Sequence, residues 1–425
     1  MRFLHAADLH IDSPLRGLSA EAGAPVDHLR GATRLAFNAL IDLAIRTPVD
    51  FVLLCGDIFD VDWGDYRTGL FFRAGLVRLS QAGIRVFLIQ GNHDAQGVIT
   101  RQLEWPSNTK VFSSRTAETA RLDDLGVAIH GRSFPNRAVT EDLAKDYPEA
   151  IDGYFNIAML HTSMGGRQGH DSYAPTTVDV LVSKNFSYWA LGHVHQREIL
   201  LESPWIVYPG NIQGRHANET GPKGCVLVSD EAANGRAGLS VEFVPLDVVR
   251  WSRIEIDASQ ILRPEHLGSA FREALFPQIV GAADRLHAVR VVLRGASPLH
   301  SVEASRPGVL AAHLQAAAQD VTEVDCWIER VIAQLSPVTD RAEAANRQDA
   351  VGELARLVDS VSASDEAIVA WVGAQLEGAP EPLGGDLDDD AALRLTDAAH
   401  LRSLLADAEA TVLARLGSSG PEAAS

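Results

Sequence analysis

Asp8 and His10 stand two residues apart directly after a short apolar run, and His193 and His195 repeat that spacing with two imidazoles. Residues two apart on a strand point the same way, so each pair can reach one cation. Three further polar clusters follow apolar runs of strand length: Gly56-Asp57, Gly91-Asn92-His93-Asp94 and the single His161. The glycines let the chain turn sharply at a strand end. Asp8, His10, Asp57, Asn92, His161, His193 and His195 together supply seven nitrogen and oxygen ligands. Seven suits two cations that share one bridging carboxylate. Mixed imidazole and carboxylate donors suit Mn²⁺, Fe²⁺ or Zn²⁺ better than Ca²⁺ or Mg²⁺. The absence of cysteine among them argues against a structural zinc site. Two cations a few Å apart can polarise a substrate oxygen and activate a water for hydrolysis.

The elements that must carry these residues alternate along the first 250 residues. Apolar runs at 3–7, 51–55, 86–89, 157–160 and 189–191 end in the polar clusters, and helical patterns at 33–45 and 66–82 lie between some of them. Alternating strands and helices predict an α/β layered domain, and such folds place their sites at the carboxyl ends of buried strands. Strand candidates at 253–256, 288–293 and 326–332 then alternate with helix candidates at 264–280 and 308–318, a small β-α-β-α-β module. Farther on, Val351, Leu354, Leu357, Val358 and Val361 recur at helical spacing, as do Leu401, Leu404, Leu405, Ala408 and Val412. The stretch 378–390 between them is acidic and rich in Pro and Gly, a linker composition, and 417–425 reads as disordered. The expected domains are therefore 1–250, 251–340 and 341–425.

Composition bounds the function classes. A chain of 425 residues is too long for one core. No apolar run reaches the roughly 18 residues of a membrane span, so no membrane partner is expected. The first residues carry no charged, apolar and cleavage regions of a signal peptide. The three cysteines, Cys55, Cys225 and Cys326, are widely spaced and form neither a disulfide framework nor a zinc pattern. The cytoplasm is the expected compartment. A net charge of −19 is unlike the basic footprint of most nucleic-acid proteins, but bound cations offset charge locally. Charge neither supports nor excludes a nucleic-acid substrate.

Asp-x-His, Gly-Asp, Gly-Asn-His-Asp, His and Gly-His-x-His, in this order, resemble the five motifs of the calcineurin-like metallophosphoesterases. The resemblance implies a β-sandwich flanked by helices, followed here by a small α/β cap and a helical C-terminal tail. It implies that Asp8, His10, Asp57 and His195 hold one metal and Asp57, Asn92, His161 and His193 the other, with Asp57 as the bridge. His93 is implied as the catalytic acid. Asp94 either orients His93 or caps a helix. The opening His5-Ala6-Ala7-Asp8-Leu9-His10-Ile11-Asp12-Ser13-Pro14-Leu15 is similar to the SbcD-type DNA nuclease subunits, in particular their YhaO-like branch. So are residues 208–216 and 219–224. That resemblance implies a DNA substrate, two Mn²⁺ ions and a partnership of residues 341–425 with the coiled-coil base of an ABC-type ATPase. A homodimer is left open. Several relatives carry a His three residues after the bridging Asp, and here Asp60 stands there, so the resemblance leaves exonuclease and endonuclease action both open and does not fix the cleavage polarity. A small-molecule phosphodiesterase or phosphatase is the alternative enzyme, and a non-catalytic scaffold the alternative class.

Other polar residues read more plainly. His5 and His130 fit a packed core. Arg16, Arg132, Arg167 and Arg197 fit surface or paired arginines, with phosphate neutralisation as the other use. Arg215 and His216 fit either a phosphate contact or loop stabilisation.

Overall fold

The computed structural model describes residues 1–13, 25–60, 66–95, 104–165, 173–230, 238–338, 343, 345–376 and 395–418. The linker reading at 378–390, residues 419–425, Pro14, Leu15, Arg16 and Arg167 lie outside the described residues. The chain divides into two compact units, Met1–Trp251 with Asp284–Leu286, and Ser252–Ala283 with His287–Ser425.

Two six-stranded sheets build the first unit. In one, β1 (Arg2–Ala6), β2 (Phe51–Cys55), β3 (Arg85–Ile89) and β4 (Thr109–Val111) run parallel, and β11 (Gly224–Ser229) and β12 (Ser240–Pro245) extend it antiparallel beyond β1. In the other the order is β5 (Glu118–Leu122), β6 (Val127–Gly131), β7 (Phe155–His161), β8 (Tyr188–Gly192), β10 (Trp205–Tyr208) and β9 (Glu198–Glu202). Its central strands β6, β7, β8 and β10 are parallel.

Strand alternation sorts the apolar side chains into three layers. Phe3, Phe51, Leu53, Phe87 and Ile89 of the first sheet pack on Ile129, Ile157, Met159 and Val207 of the second, which forms the sandwich core. The intervening Leu4, Val52, Leu54, Val86 and Leu88 turn outward under Phe37, Leu40, Ile41, Phe72 and Leu76 of α1 (Val26–Arg46) and α2 (Tyr66–Gln81). Leu160, Trp189, Leu191 and Ile206 do the same on the second sheet under Leu143, Tyr147 and Leu181. Burial on both faces is why these strands read as unbroken apolar runs.

The sheet of the second unit is three-stranded, made by β13 (Val249–Asp257) from Ser252 on, β14 (Leu286–Ala296) from His287 on and β15 (Asp325–Ser336). Ile254, Ile256, Val289, Val291 and Ile328 pack on Phe271, Leu275, Leu310 and Leu314 of the helices Leu267–Ile279 and Val309–Gln319. Between them on β14, Arg290 makes a buried bidentate pair with Glu329, at 2.7 and 2.8 Å.

The tail carries three described helices rather than two: Ala350–Val361, Asp365–Leu376 and Ala398–Ser418. Val361, Ile368 and Leu401 form a small core, joined by Val369, Val372 and Leu405. The buried face of the last helix is only partly the expected one. Leu401, Glu409 and Ala410 are buried, while Leu404 and Val412 are exposed, because the helix also packs against Leu299–Ser305.

Candidate metal centre

The parallel strands place the polar clusters. Asp8 and His10 lie just past β1, Asp57 past β2, Asn92 and His93 past β3, His161 ends β7, and His193 and His195 lie past β8. The first two loops continue the sheet's pairing through Asp8 N–H to Gly56 O, His10 N–H to Asp57 O and Ile11 N–H to Ile58 O, each 3.0 Å. That fixes the Asp8 and Asp57 carboxylates in one register.

Gly56 has φ +87°, the left-handed turn expected of it. Gly91 is needed for a different reason than turning. A Cβ there would stand 2.3 Å from Asp57 Oδ1 and 2.9 Å from His161 Cε1. The site closes so tightly that only hydrogen fits.

All seven expected ligands come together. Asp8, His10 and His195 each offer an atom within 4.8 Å of the others, and so do Asp57, His161 and His193. Asp57 Oδ2 lies 3.4 Å from His161 Nε2 and 4.0 Å from His10 Nε2, between the two groups. Asn92 Oδ1 is 3.0 Å from His161 Nε2, and His161 Nδ1–H donates to Cys55 O at 2.9 Å. The His193 amide donates to both oxygens of Asp8, at 3.1 and 3.0 Å. His93 donates its backbone N–H to Asp57 Oδ1 at 3.0 Å, and its side chain is 30% exposed at the rim.

Of the two readings of Asp94, orienting His93 or capping a helix, the contact with His93 falls to Asp60. The buried Asp94 carboxylate accepts the amides of Ile58, Phe59 and Gly91, at 3.0 to 3.1 Å. It therefore ties the β2 loop to the β3 loop. The carboxylate 3.3 Å from His93 Nδ1 is that of Asp60. Asp60 Oδ1 also accepts from His10 Nδ1 at 2.6 Å.

Glu219 plays the matching part for His195, whose Nδ1 lies 2.6 Å from Glu219 Oε1. Asn211 Nδ2 and the Arg215 amide hold the other Glu219 oxygen, at 2.9 and 2.7 Å. The Arg215 guanidinium donates to Glu219 Oε1 at 3.1 Å, and Lys223 Nζ to His195 O at 2.8 Å. Neither Glu219 nor Asp60 was singled out as an imidazole partner from sequence. Glu219 stands 24 residues from His195, and no spacing rule links them.

The electrostatics follow from this crowding. Burial disfavours charge on Asp57, but His161, His10 and His93 around it hold its carboxyl well below the usual range. Burial lowers His161, yet Asp57 and Asp8 outweigh it and raise the imidazole to about 9. Burial raises Asp8 against the pull of His161 and His195. Burial and Arg215 lower His10 to about 4 despite Asp60. Burial and the Asp57 charge push Asp94 up to about 7 against its three amides.

The donor set fits divalent cations. A carboxylate only accepts, so His10 and His195 spend their Nδ1–H groups on Asp60 and Glu219. Their Nε2 atoms then face each other at 3.2 Å. Something positive has to lie between them, a proton or a cation. Imidazoles steered by carboxylates through the far nitrogen are the usual form of a histidine metal ligand.

Elsewhere the plainer readings describe what is seen. His5 is buried between Tyr188 Oη and Leu191 O, both at 3.0 Å. His130 bonds Thr119 and Asn156. Arg132 pairs with Asp146, and Arg197 lies over the Phe243 ring. No described helix is long and apolar enough to cross a membrane.

Comparison with known proteins agrees with this geometry. The calcineurin-like phosphoesterase family profile matches residues 1–197, and that of the metallophosphoesterase YhaO middle domain matches 251–336. The uncharacterized metallophosphoesterase YhaO of Bacillus subtilis is 36% identical over 338 residues, 77% of this chain and 80% of that protein. The DNA double-strand break repair protein Mre11 of Sulfurisphaera tokodaii is 28% identical over 47% of this chain and 50% of its own length. The SbcD component of the nuclease SbcCD of Escherichia coli is 23% identical over 50% of this chain and 60% of its own length. The chain thus spans only half to three fifths of these last two. The chain belongs to the calcineurin-like metallophosphoesterases.

Proposed function

We propose that this metallophosphoesterase is a two-metal phosphodiesterase that cuts DNA as one subunit of a cytoplasmic repair nuclease. The observation that carries the reading is the pair of donor groups that meet at Asp57 with His93 at their rim. Asp8, His10, Asp57 and His195 would hold one cation and Asp57, Asn92, His161 and His193 the other. Mn²⁺ suits these donors best, with Fe²⁺ and Zn²⁺ next. Two such cations would clamp a phosphodiester and lower the pKa of a water. The protein's own groups do the rest. Asp57 fixes the spacing of the two halves, and its bond from the His93 amide fixes the acid relative to that bridge. The His93 imidazole, open to solvent on one side, hands a proton to the departing oxygen, a task suited to imidazole near neutral pH.

DNA as the substrate is supported by the repair proteins among the relatives and by the residues around Asp8 and Arg215 that resemble the SbcD-type subunits. We further propose that residues 1–250 are the catalytic domain, 251–340 a cap and 341–425 the part that docks a coiled-coil ABC-type ATPase. The test is metal analysis together with cleavage of plasmid, single-stranded DNA and an aryl phosphodiester in Mn²⁺. Two metals per chain with DNA cleavage supports the reading. Cleavage of the aryl diester alone, with or without the ATPase, points to a small-molecule phosphodiesterase. No metal and no cleavage points to a scaffold.

A further inference from the structure

The chain passes between the two units at three points, after Trp251, Ala283 and Leu286. Within the first unit all three are tied to one segment, residues 246–251. The Leu286 amide donates to Val248 O at 3.0 Å. Arg285 Nε lies 3.5 Å from the buried Asp247 carboxylate, which Arg250 also holds with two bonds of 2.8 and 2.9 Å. The same segment reaches the proposed metal ligand His195 by two routes. In the first, Gln213 Oε1 accepts the Val248 and Val249 amides at 2.9 and 3.2 Å, and Gln213 Nε2 donates to Val249 O at 2.7 Å and Gly214 O at 2.9 Å. Trp251 Nε1–H shares Gly214 O at 2.9 Å. The next amide, that of Arg215, holds the Glu219 carboxylate against His195 Nδ1. In the second route Lys223 O accepts the Leu246 and Asp247 amides at 2.9 and 3.1 Å, and Lys223 Nζ donates to His195 O at 2.8 Å. We propose that Gln213 is a positioning residue that couples His195, and with it the metal centre, to the strand by which the chain enters the second unit. The inference rests on the metal-centre reading above and adds a control that the seven ligands and His93 do not contain.

The chemistry is that of a saturated carboxamide. Gln213 is 2% exposed, and its two N–H groups and its oxygen are all spent on backbone groups of two segments far apart in the sequence. Sliding either segment would strand buried donors and acceptors away from water, so the two move together or not at all. Gly214 leaves no slack between them. A Cβ there would stand 2.8 Å from Glu219 O and 2.9 Å from Trp251 Cδ1. The linkage runs both ways. A cation that fixes His195 fixes residues 246–251, and strain that enters at Trp251, Arg285 or Leu286 reaches His195. The docking proposed for residues 341–425 thereby gains a path to the metal centre.

The experiment compares amide hydrogen exchange of the full chain with and without saturating Mn²⁺, in the wild type and in Gln213→Ala, with calorimetry to read Mn²⁺ affinity. In the wild type Mn²⁺ should slow exchange in residues 246–251 and 284–286 by about 5-fold or more, the lower bound of coupling between linked sites. It should also slow exchange in residues 7–13 and 55–60, which carry Asp8, His10 and Asp57. In Gln213→Ala at saturating Mn²⁺ the response at 246–251 and 284–286 should disappear while that at 7–13 and 55–60 persists. One of the two Mn²⁺ sites should weaken by about 10-fold, the low end for groups that act through a ligand's partner. A residue that only stabilises the fold would speed exchange everywhere and leave the pattern of the Mn²⁺ response unchanged.

Trp251→Phe provides the milder variant if Gln213→Ala does not fold. It removes one donor to Gly214 O, keeps a ring in place, and should shrink the Mn²⁺ response at the same residues. A wild type in which Mn²⁺ leaves 246–251 and 284–286 unprotected overturns the proposal. So does a response in the variants that matches the wild type at every residue. A wild-type chain that binds no Mn²⁺ at all refutes the metal-centre reading itself, an outcome distinct from Mn²⁺ binding without transfer.

Discussion

Gly91→Ala tests how tightly the proposed bridge is held. The new methyl would stand 2.3 Å from Asp57 Oδ1 and 2.8 Å from Asp57 N, where real contacts stop near 3.0 Å. The carboxylate must therefore retreat by about 0.7 Å, the difference of those two distances. It has no free direction. Asp57 is 2% exposed, and Oδ1 is held by the His93 amide at 3.0 Å. Overpacking of this kind costs about 1–3 kcal/mol. At about 2–4 °C per kcal/mol for a unit of this size, Tm should fall by about 2–12 °C. Misplacement of a reacting group by about 1 Å costs about 10²-fold in rate, so cleavage of an aryl diester should drop by about that much. Gly31→Ala is the control. It lies inside α1 with nothing within 4 Å of the added carbon, and should be neutral or stabilising by about 0.5–1 kcal/mol. Thermal unfolding, metal analysis and steady-state rates on both variants decide the matter. A Gly91→Ala protein with wild-type Tm, two metals and full activity would show that Asp57 is not pinned, and the bridging role argued from that geometry would fail.

Asp57→Asn should lose metal from both sites and all measurable cleavage, because both proposed cations lose the same charged ligand; two full-occupancy metals on elemental analysis would remove Asp57 as the bridge. Glu219→Gln removes the ionic partner of His195 Nδ1 and should weaken one Mn²⁺ site by about 10- to 100-fold, and calorimetry showing no change would make Glu219 a loop brace only. A chain ended at residue 338 should keep two metals and aryl-diester cleavage and lose ATPase binding in a pull-down, since every proposed ligand lies before residue 196. Loss of metal from that truncation would instead make residues beyond 338 part of the catalytic fold.

The strands that carry the site were legible because they are buried on both faces. Phe51, Val52, Leu53, Leu54 and Cys55 are all buried, so β2 appears as an apolar run that stops where polar Asp57 begins. The same break marks β1 before Asp8, β3 before Asn92 and β8 before His193. What the loops demand of glycine was legible only in part. Gly56 turns, but Gly91 serves a close approach, and a sequence cannot show that Asp57, far from Gly91 along the chain, lies 2.3 Å from the missing carbon. Asp60 and Glu219 escaped for the same reason, since their partners His10 and His195 are brought to them by tertiary pairing. In the tail, the helix Asp365–Leu376 was invisible to periodicity. Among its residues only Ile368 is buried while Trp371 and Leu376 are exposed, so its apolar residues do not mark one face. The last helix faces two neighbours at once, which blurs a single stripe.

Backbone conformation adds a separate argument for a built site. Asp8, His10, Asp57 and His193 have φ of 52°, 41°, 52° and 98°, a region that side-chain-bearing residues rarely adopt. Each such residue costs of order 1–3 kcal/mol and persists only where its surroundings fix it. Here they do. Asp8 and His10 are held by backbone bonds to the β2 loop, and that loop is held in turn by Asp94. The His193 amide is held by Asp8 itself. Four of the seven proposed ligands therefore sit in strained geometry, held by backbone bonds between their loops and by the Asp8 and Asp94 carboxylates. A fold kept only as a scaffold would be more stable with glycine or a relaxed loop at these positions. The strain is intelligible if the side chains must aim at a common point, and that supports the enzyme reading over the scaffold on grounds independent of any motif.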